Sequence, residues 1–166
     1  MDDKRLMLRH YLAALAYRTQ KALRGAPDSF PNFRARPGVR TPHELLFHMT
    51  NVLGYARTFF IGGEYRPEIL PTFREEIDRY HTMLESLRQH LDKSSPFMGT
   101  TAERMLQGPF SDAMTHAGQM ALLRRLFGSP VPPENFIVAT IDSDNLGPDQ
   151  PDPVSPDEDW NEPGVE

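Results

Sequence analysis

The sequence predicts an all-α protein: a four-helix bundle followed by an irregular C-terminal tail rich in proline and acid. Three observations carry that prediction. Apolar residues recur at spacings of three and four in four separate segments, as on one face of an amphipathic helix. Each segment is bounded by helix start or stop residues. No stretch alternates apolar and polar residues convincingly enough to read as a strand. With 166 residues the chain has the length for one domain with a sizeable core.

The first helix is expected over about Asp2 to Leu23, with Leu8, Leu12, Leu15 and Ala22 near one face and Gly25-Ala26-Pro27 ending it. A loop containing arginine and proline follows. The second helix opens at Thr41-Pro42-His43-Glu44: threonine suits the N-cap, proline the first helical position, and Glu44 completes a capping box. Leu45, Met49, Val52, Ala56 and Phe59 form its apolar face, and Gly62-Gly63 ends it. The third runs from about Pro71 to Lys93. Its seam of Phe73, Ile77, Tyr80, Leu84, Leu87 and Leu91 alternates four and three. The fourth begins near Thr100 or Thr101, is interrupted at Gly108-Pro109 and continues to about Phe127. Its second half is apolar nearly all round, which places it in the middle of a bundle or against another subunit. The direction of each helix is left open by this pattern.

The net charge of −5 is unevenly divided. Residues 140–166 hold nine of the 23 acidic side chains and no Lys or Arg, so the first 139 residues carry all 18 basic groups against 14 acids, a net of +4. The chain thus divides into a bundle domain, residues 1–139, and an acidic, proline-rich extension, residues 140–166. Low apolar content makes that extension irregular. It is expected to act as a solubilising extension; the alternative is a strap over the basic body and its cleft, for which the single tryptophan, Trp160, argues. The basic groups are spread along helix faces rather than blocked together, so no nucleic-acid partner is expected. No apolar run has the length of a membrane span and the N-terminus lacks a signal-peptide core, so a cytoplasmic location is expected. The absence of cysteine excludes disulfides, thiolate metal sites and cysteine nucleophiles.

Chemistry in a bundle is built from polar side chains that interrupt the apolar faces. Of the six histidines, His10, His81 and His90 lie among charged residues and read as solvated. His43 and His48 are about 140° apart around their helix and do not easily share a ligand. His48 borders the apolar arc of helix two. Asp112 and His116 stand at i and i+4, one turn apart on one face of helix four, a spacing compatible with two ligands on one ion. A His, His, Asp set leaves positions open for water and substrate, as in catalytic zinc sites or two-histidine, one-carboxylate iron sites. The plain alternative is a buried histidine hydrogen-bonded to an aspartate one turn away, which needs no metal. Glu44 is explained by its capping role. Phosphate loops, nucleophile elbows, His-Glu-x-x-His pairs and paired Glu-x-x-His motifs are all missing.

The segments TPHELLFHMTNVLGYARTFF and PFSDAMTHAGQMALLRRLFGSPVPPENF resemble the DinB/YfiT-like superfamily of small four-helix-bundle proteins over roughly residues 1–136. That resemblance implies a divalent metal (Zn, Ni, Fe or Mn) held by one helix-two and two helix-four ligands, which match His48, Asp112 and His116 here. Most members carry histidine where this chain has Asp112, a harder and more anionic donor. Asn51 and Gln119, each three residues after a ligand position, stand where outer partners of the ligands belong; hydrogen bonding at the helix interface is their other reading. Tyr55, one turn further along helix two, is expected to pack in the cleft, the alternative being that it caps it. The resemblance further implies a homodimer and a metal-dependent transfer of a low-molecular-weight thiol to an electrophile, or hydrolysis through a metal-bound thiol or water. The alternative is a non-catalytic dimeric bundle with a stress-related or interaction role and a vestigial metal site.

Overall fold

The computed structural model describes residues 2–154. Its helices are α1 (Asp3–Leu23), α2 (Pro42–Ile61), α3 (Phe73–Asp92), and a fourth rod made of α4 (Ala102–Met105), a π-helical turn (Leu106–Phe110) and α5 (Ser111–Leu126). Among the described residues there is no β-strand. The local chemistry explains each boundary. Thr41 accepts from the Glu44 amide while the Glu44 carboxylate accepts from the Thr41 amide, a complete capping box, with Pro42 in the first turn. Thr72 and Glu75 form a second box at the start of α3. Gly62 ends α2 at φ 75°, a conformation that side chains other than glycine rarely adopt.

Ring and charge contacts along the rods give each helix its direction. The ring of His43 meets that of Phe73 at 5.7 Å, and Phe60 stacks on His90 at 5.1 Å, so α2 and α3 run parallel. Arg9 reaches Asp92 at 3.5 Å and Thr19 hydrogen-bonds Tyr80 at 2.9 Å, so α1 opposes α3. Tyr11 faces Phe110 at 6.4 Å and Arg124 donates to the Ala22 carbonyl at 2.9 Å, so α1 and α5 run together. The order is therefore up, down, down, up. α1 packs on α3 and α5, α2 packs on the same two, and α1 and α2 lie across the diagonal. Leu12, Leu15, Leu46, Met49, Leu53, Leu84, Leu87 and Phe110 fill the centre.

Parallel α2 and α3 require residues 62–72 to travel back along the bundle, and specific contacts hold them there. Tyr65 lays its ring directly on Gly54, where an added Cβ would fall 2.0 Å from a ring carbon. The fully buried Glu76 carboxylate accepts from the Leu70 amide at 2.7 Å and pairs with Arg79, which donates to the Glu68 carbonyl at 2.9 Å.

Three expectations are corrected. Of the two places expected for α5, the middle of the bundle is excluded: Ala113, His116, Ala117, Met120 and Leu123 are buried, whereas Leu122 is 53 % and Leu126 57 % exposed. His81 is not solvated. It is 5 % exposed and donates from Nδ1 to the Leu146 carbonyl at 2.6 Å. His90 is likewise covered on one face by Phe60.

That contact with Leu146 belongs to the third correction. Residues 140–154 are not a free solubilising extension but a strap along α1 and α3. Leu146 and Gln150 are buried, Asp144 pairs with Arg9 and Arg88, and Asp152 pairs with Arg24. The buried Leu146 side chain and the buried hydrogen bond from His81 to its carbonyl anchor the strap, and the exposed ion pairs add little to them. Upstream, the buried Glu134 carboxylate accepts from the Tyr17 hydroxyl and, at 2.7 Å, from Lys21. The strap is irregular, as expected, and it covers the α1/α3 side rather than the α2/α5 side. Trp160 and the acids beyond residue 154 lie outside the described residues. No helix among the described residues is long and apolar enough to cross a membrane.

Candidate metal centre

The capped start of α2 fixes the rotation of that helix, and His48 falls two turns in, beside the buried Leu45 and Met49 and the half-buried Val52. On the opposing rod, Gly108 leaves helical geometry (φ −92°, ψ −105°) and Pro109 removes one amide donor. The chain relaxes into a π turn there, and the Ser111 hydroxyl donates to the Leu106 carbonyl at 2.7 Å. α5 restarts at Ser111, so Asp112 sits in its first turn and His116 one turn on.

Because α2 and α5 run antiparallel, the two histidines meet. Their ring centroids are 4.7 Å apart and their planes cross at 76°. Asp112 Oδ1 lies 3.3 Å from His116 Nε2. One donor atom from each of His48, Asp112 and His116 lies within 4.8 Å of the others. All three residues singled out in the sequence are thus brought together by the fold. His43 is not among them; its ring packs on Phe73 and its Nε2 is buried without a partner.

The protonation pattern suits a cation. His116 Nδ1 lies 2.8 Å from Gln119 Oε1, and an amide oxygen only accepts, so Nδ1 carries the proton. In the neutral ring Nε2 is then a lone pair aimed at a carboxylate 3.3 Å away. Two electron-pair donors at that distance need a shared proton or a cation between them. Burial first, and then the nearby Arg40 charge, pushes His48 below the usual histidine value against the pull of Asp112. Its imidazole therefore remains neutral and able to coordinate at neutral pH. His116 is 8 % exposed and the Asp112 side chain 49 %, so the constellation opens to solvent on the carboxylate side.

The opening is a cleft of about 710 Å³ between α2 and the π turn. Asn51 lines it, and its Oδ1 is buried with no hydrogen-bond partner. Gln119 bonds His116 directly, whereas Asn51 makes no such bond to His48. Of the two places open to Tyr55, capping the cleft or packing in it, the structure shows the first: it lines the rim, 56 % exposed, and rests edge-on against Phe59 at 4.9 Å. The sequence reading missed Gln107, Ser111 and Thr115 as cleft walls, although the helix-breaking Gly108-Pro109 pair already marked that turn. Comparison with protein-family models, with curated proteins and with solved structures found no match for this chain.

Proposed function

We propose that this protein is a divalent-metal-dependent enzyme of the DinB-like type, acting on a small thiol and an electrophile or hydrolysing a small substrate. The observation that carries this reading is the convergence of His48, Asp112 and His116 from two facing helices, beside an open cleft that His48 and Asp112 line. A divalent ion (Zn, Ni, Fe or Mn) on these three groups would act as a Lewis acid and lower the pKa of a thiol or water. Gln119 holds the His116 ring with Nε2 directed at Asp112, so the donor set is orientated in advance. Asn51 offers a hydrogen-bonding group to whatever enters the cleft, and the rim position of Tyr55 narrows access to it.

Turnover assays test this directly, with cysteine or glutathione plus an activated aryl electrophile, or with a maleyl-type ester, and each candidate metal added in turn. Metal-dependent turnover that Asp112→Asn abolishes is the expected outcome. A second reading, a non-catalytic homodimer with a vestigial site, is favoured by the exposed Leu122 and Leu126 on the outer face of α5. It predicts a dimer that survives chelator and an Asp112→Asn variant indistinguishable from the parent.

A further inference from the structure

A second groove lies on the far side of α5 from the strap, at the end of the bundle where α1 and α5 finish and α2 begins. It encloses about 830 Å³ between the loop over residues 33–40 and the outer face of α5. Phe33, Val39, Leu122 and Leu126 give it an apolar wall, and the last three are exposed. Arg36 and Arg40 stand at its edge, both exposed, and neither makes an ion pair among the described residues. The groove therefore offers uncovered apolar surface beside two uncompensated positive charges.

The strap approaches this end of the molecule. Its last ion pair joins Asp152 to Arg24, the residue that caps α1. Arg24 is in turn tied to α5 through its carbonyl, which accepts from Arg124 at 3.0 Å. Arg124 adjoins Leu123 of the groove floor, and Phe33 of the groove packs on Phe127 at 5.3 Å. Along its path the strap is fastened by aspartate on arginine, first Asp144 on Arg9 and Arg88, then Asp152 on Arg24. Residues 155–166 continue the same chemistry with Asp157, Glu158, Asp159, Glu162 and Glu166, no basic residue, and Trp160.

We propose that residues 155–166 occupy this groove, with the Trp160 indole on Leu122, Leu126 and Val39 and the acids around it facing Arg36 and Arg40. Reach permits it. The eight residues from Asp152 to Trp160 span up to roughly 26 Å when extended, while neighbouring helix axes in a bundle lie about 8–10 Å apart. Charge complementarity fixes the direction of approach, and an indole buries more apolar surface than any other side chain in the tail. Continuity with the existing strap makes the docking intramolecular, so little further chain freedom is lost on closure. Gln119 and Arg40 border both this groove and the metal centre, but none of the groove residues is a candidate ligand, and the docking holds with or without a bound ion.

Trp160 is the only tryptophan in these 166 residues, so fluorescence excited beyond tyrosine absorption reports on it alone. In dilute solution the emission should be blue-shifted and shielded from acrylamide. Arg36→Glu combined with Arg40→Glu, and separately Leu122→Ser, should shift the emission to the red and remove the shielding. All three positions are exposed, and unchanged far-ultraviolet circular dichroism would show that the helices persist. Solvent-exposed emission from the unmodified protein would overturn the proposal. So would shielding that both variants leave intact, which would put Trp160 elsewhere. Shielding that appears only at concentrations where the protein dimerises would assign the groove to a second copy and would equally overturn it.

Discussion

Gly54→Ala is the sharpest test of the parallel α2/α3 arrangement, because two physical effects of known size oppose each other there. In an exposed helix interior, alanine is favoured over glycine by about 1 kcal/mol, so propensity alone predicts a more stable protein. Here the new Cβ would lie 2.0, 2.4 and 2.5 Å from three carbons of the Tyr65 ring, so the ring must leave its seat. Tyr65 is half-buried. Losing about half of the 150–250 Å² an aromatic ring buries costs roughly 2–3 kcal/mol at 25 cal/mol per Å². The net is a destabilisation of about 1–2 kcal/mol, or a few degrees in Tm for a chain of this size. Urea denaturation of the single and double variants isolates the contact. In a Tyr65→Ala background the clash is gone, and Gly54→Ala should then stabilise by about 1 kcal/mol. A stabilised single variant, or the same effect in both backgrounds, would refute the packing of the 62–72 segment on α2.

Other expected outcomes concern the strap, the α1/α5 end and the metal centre. Burial lowers the His81 pKa below its ordinary value, although the Leu146 carbonyl and Asp78 pull the other way. The neutral ring is thus the folded form, and its contribution is complete above about pH 6.5 and lost as pH falls below that value. Amide exchange over residues 140–152 should accelerate on acidification to pH 5, and a His81→Phe variant should show no such step. Arg124 is buried and donates to the carbonyls of Ala22, Arg24 and Ser129. Arg124→Met strands those acceptors and should cost at least about 3 kcal/mol in chemical denaturation. Gln119→Ala frees the His116 ring to rotate and should weaken metal affinity about 10–100-fold with little change in Tm of the metal-free protein.

What could be read from the sequence was local. The Thr41-Pro42-Glu44 box and the Gly62 stop delimit α2 because the signals and the structure they cause sit within one turn of each other. Gly108-Pro109 located the break in the fourth rod for the same reason, and the i, i+4 relation of Asp112 and His116 follows from helix geometry alone. The place of His48 beside them depends on α2 and α5 running antiparallel, and spacing within a helix carries no information on that. Its place at the border of the apolar arc of α2 makes His48 the best-placed third ligand, and the resemblance implies the same set. His81 was misread because its burial depends on a carbonyl 65 residues further along the chain. The strap was not legible because composition measures overall apolar content, whereas the chain is anchored by one buried leucine, Leu146, whose carbonyl meets His81 of α3, with Asp144 and Asp152 set against Arg9, Arg88 and Arg24. Residues 62–72 look like any polar connection; only Gly54, a glycine in mid-helix, hinted that another part of the chain lies on α2.

The central claim is that the His48, Asp112 and His116 constellation holds a divalent ion. Elemental analysis of protein purified without a chelator or a metal-affinity tag tests it most directly. Close to one equivalent of Zn, Ni, Fe or Mn per chain is expected, with its loss in a folded His116→Ala variant. Protein that contains no metal and takes up none of these ions on titration, or a His116→Ala variant that retains the full equivalent, would contradict it.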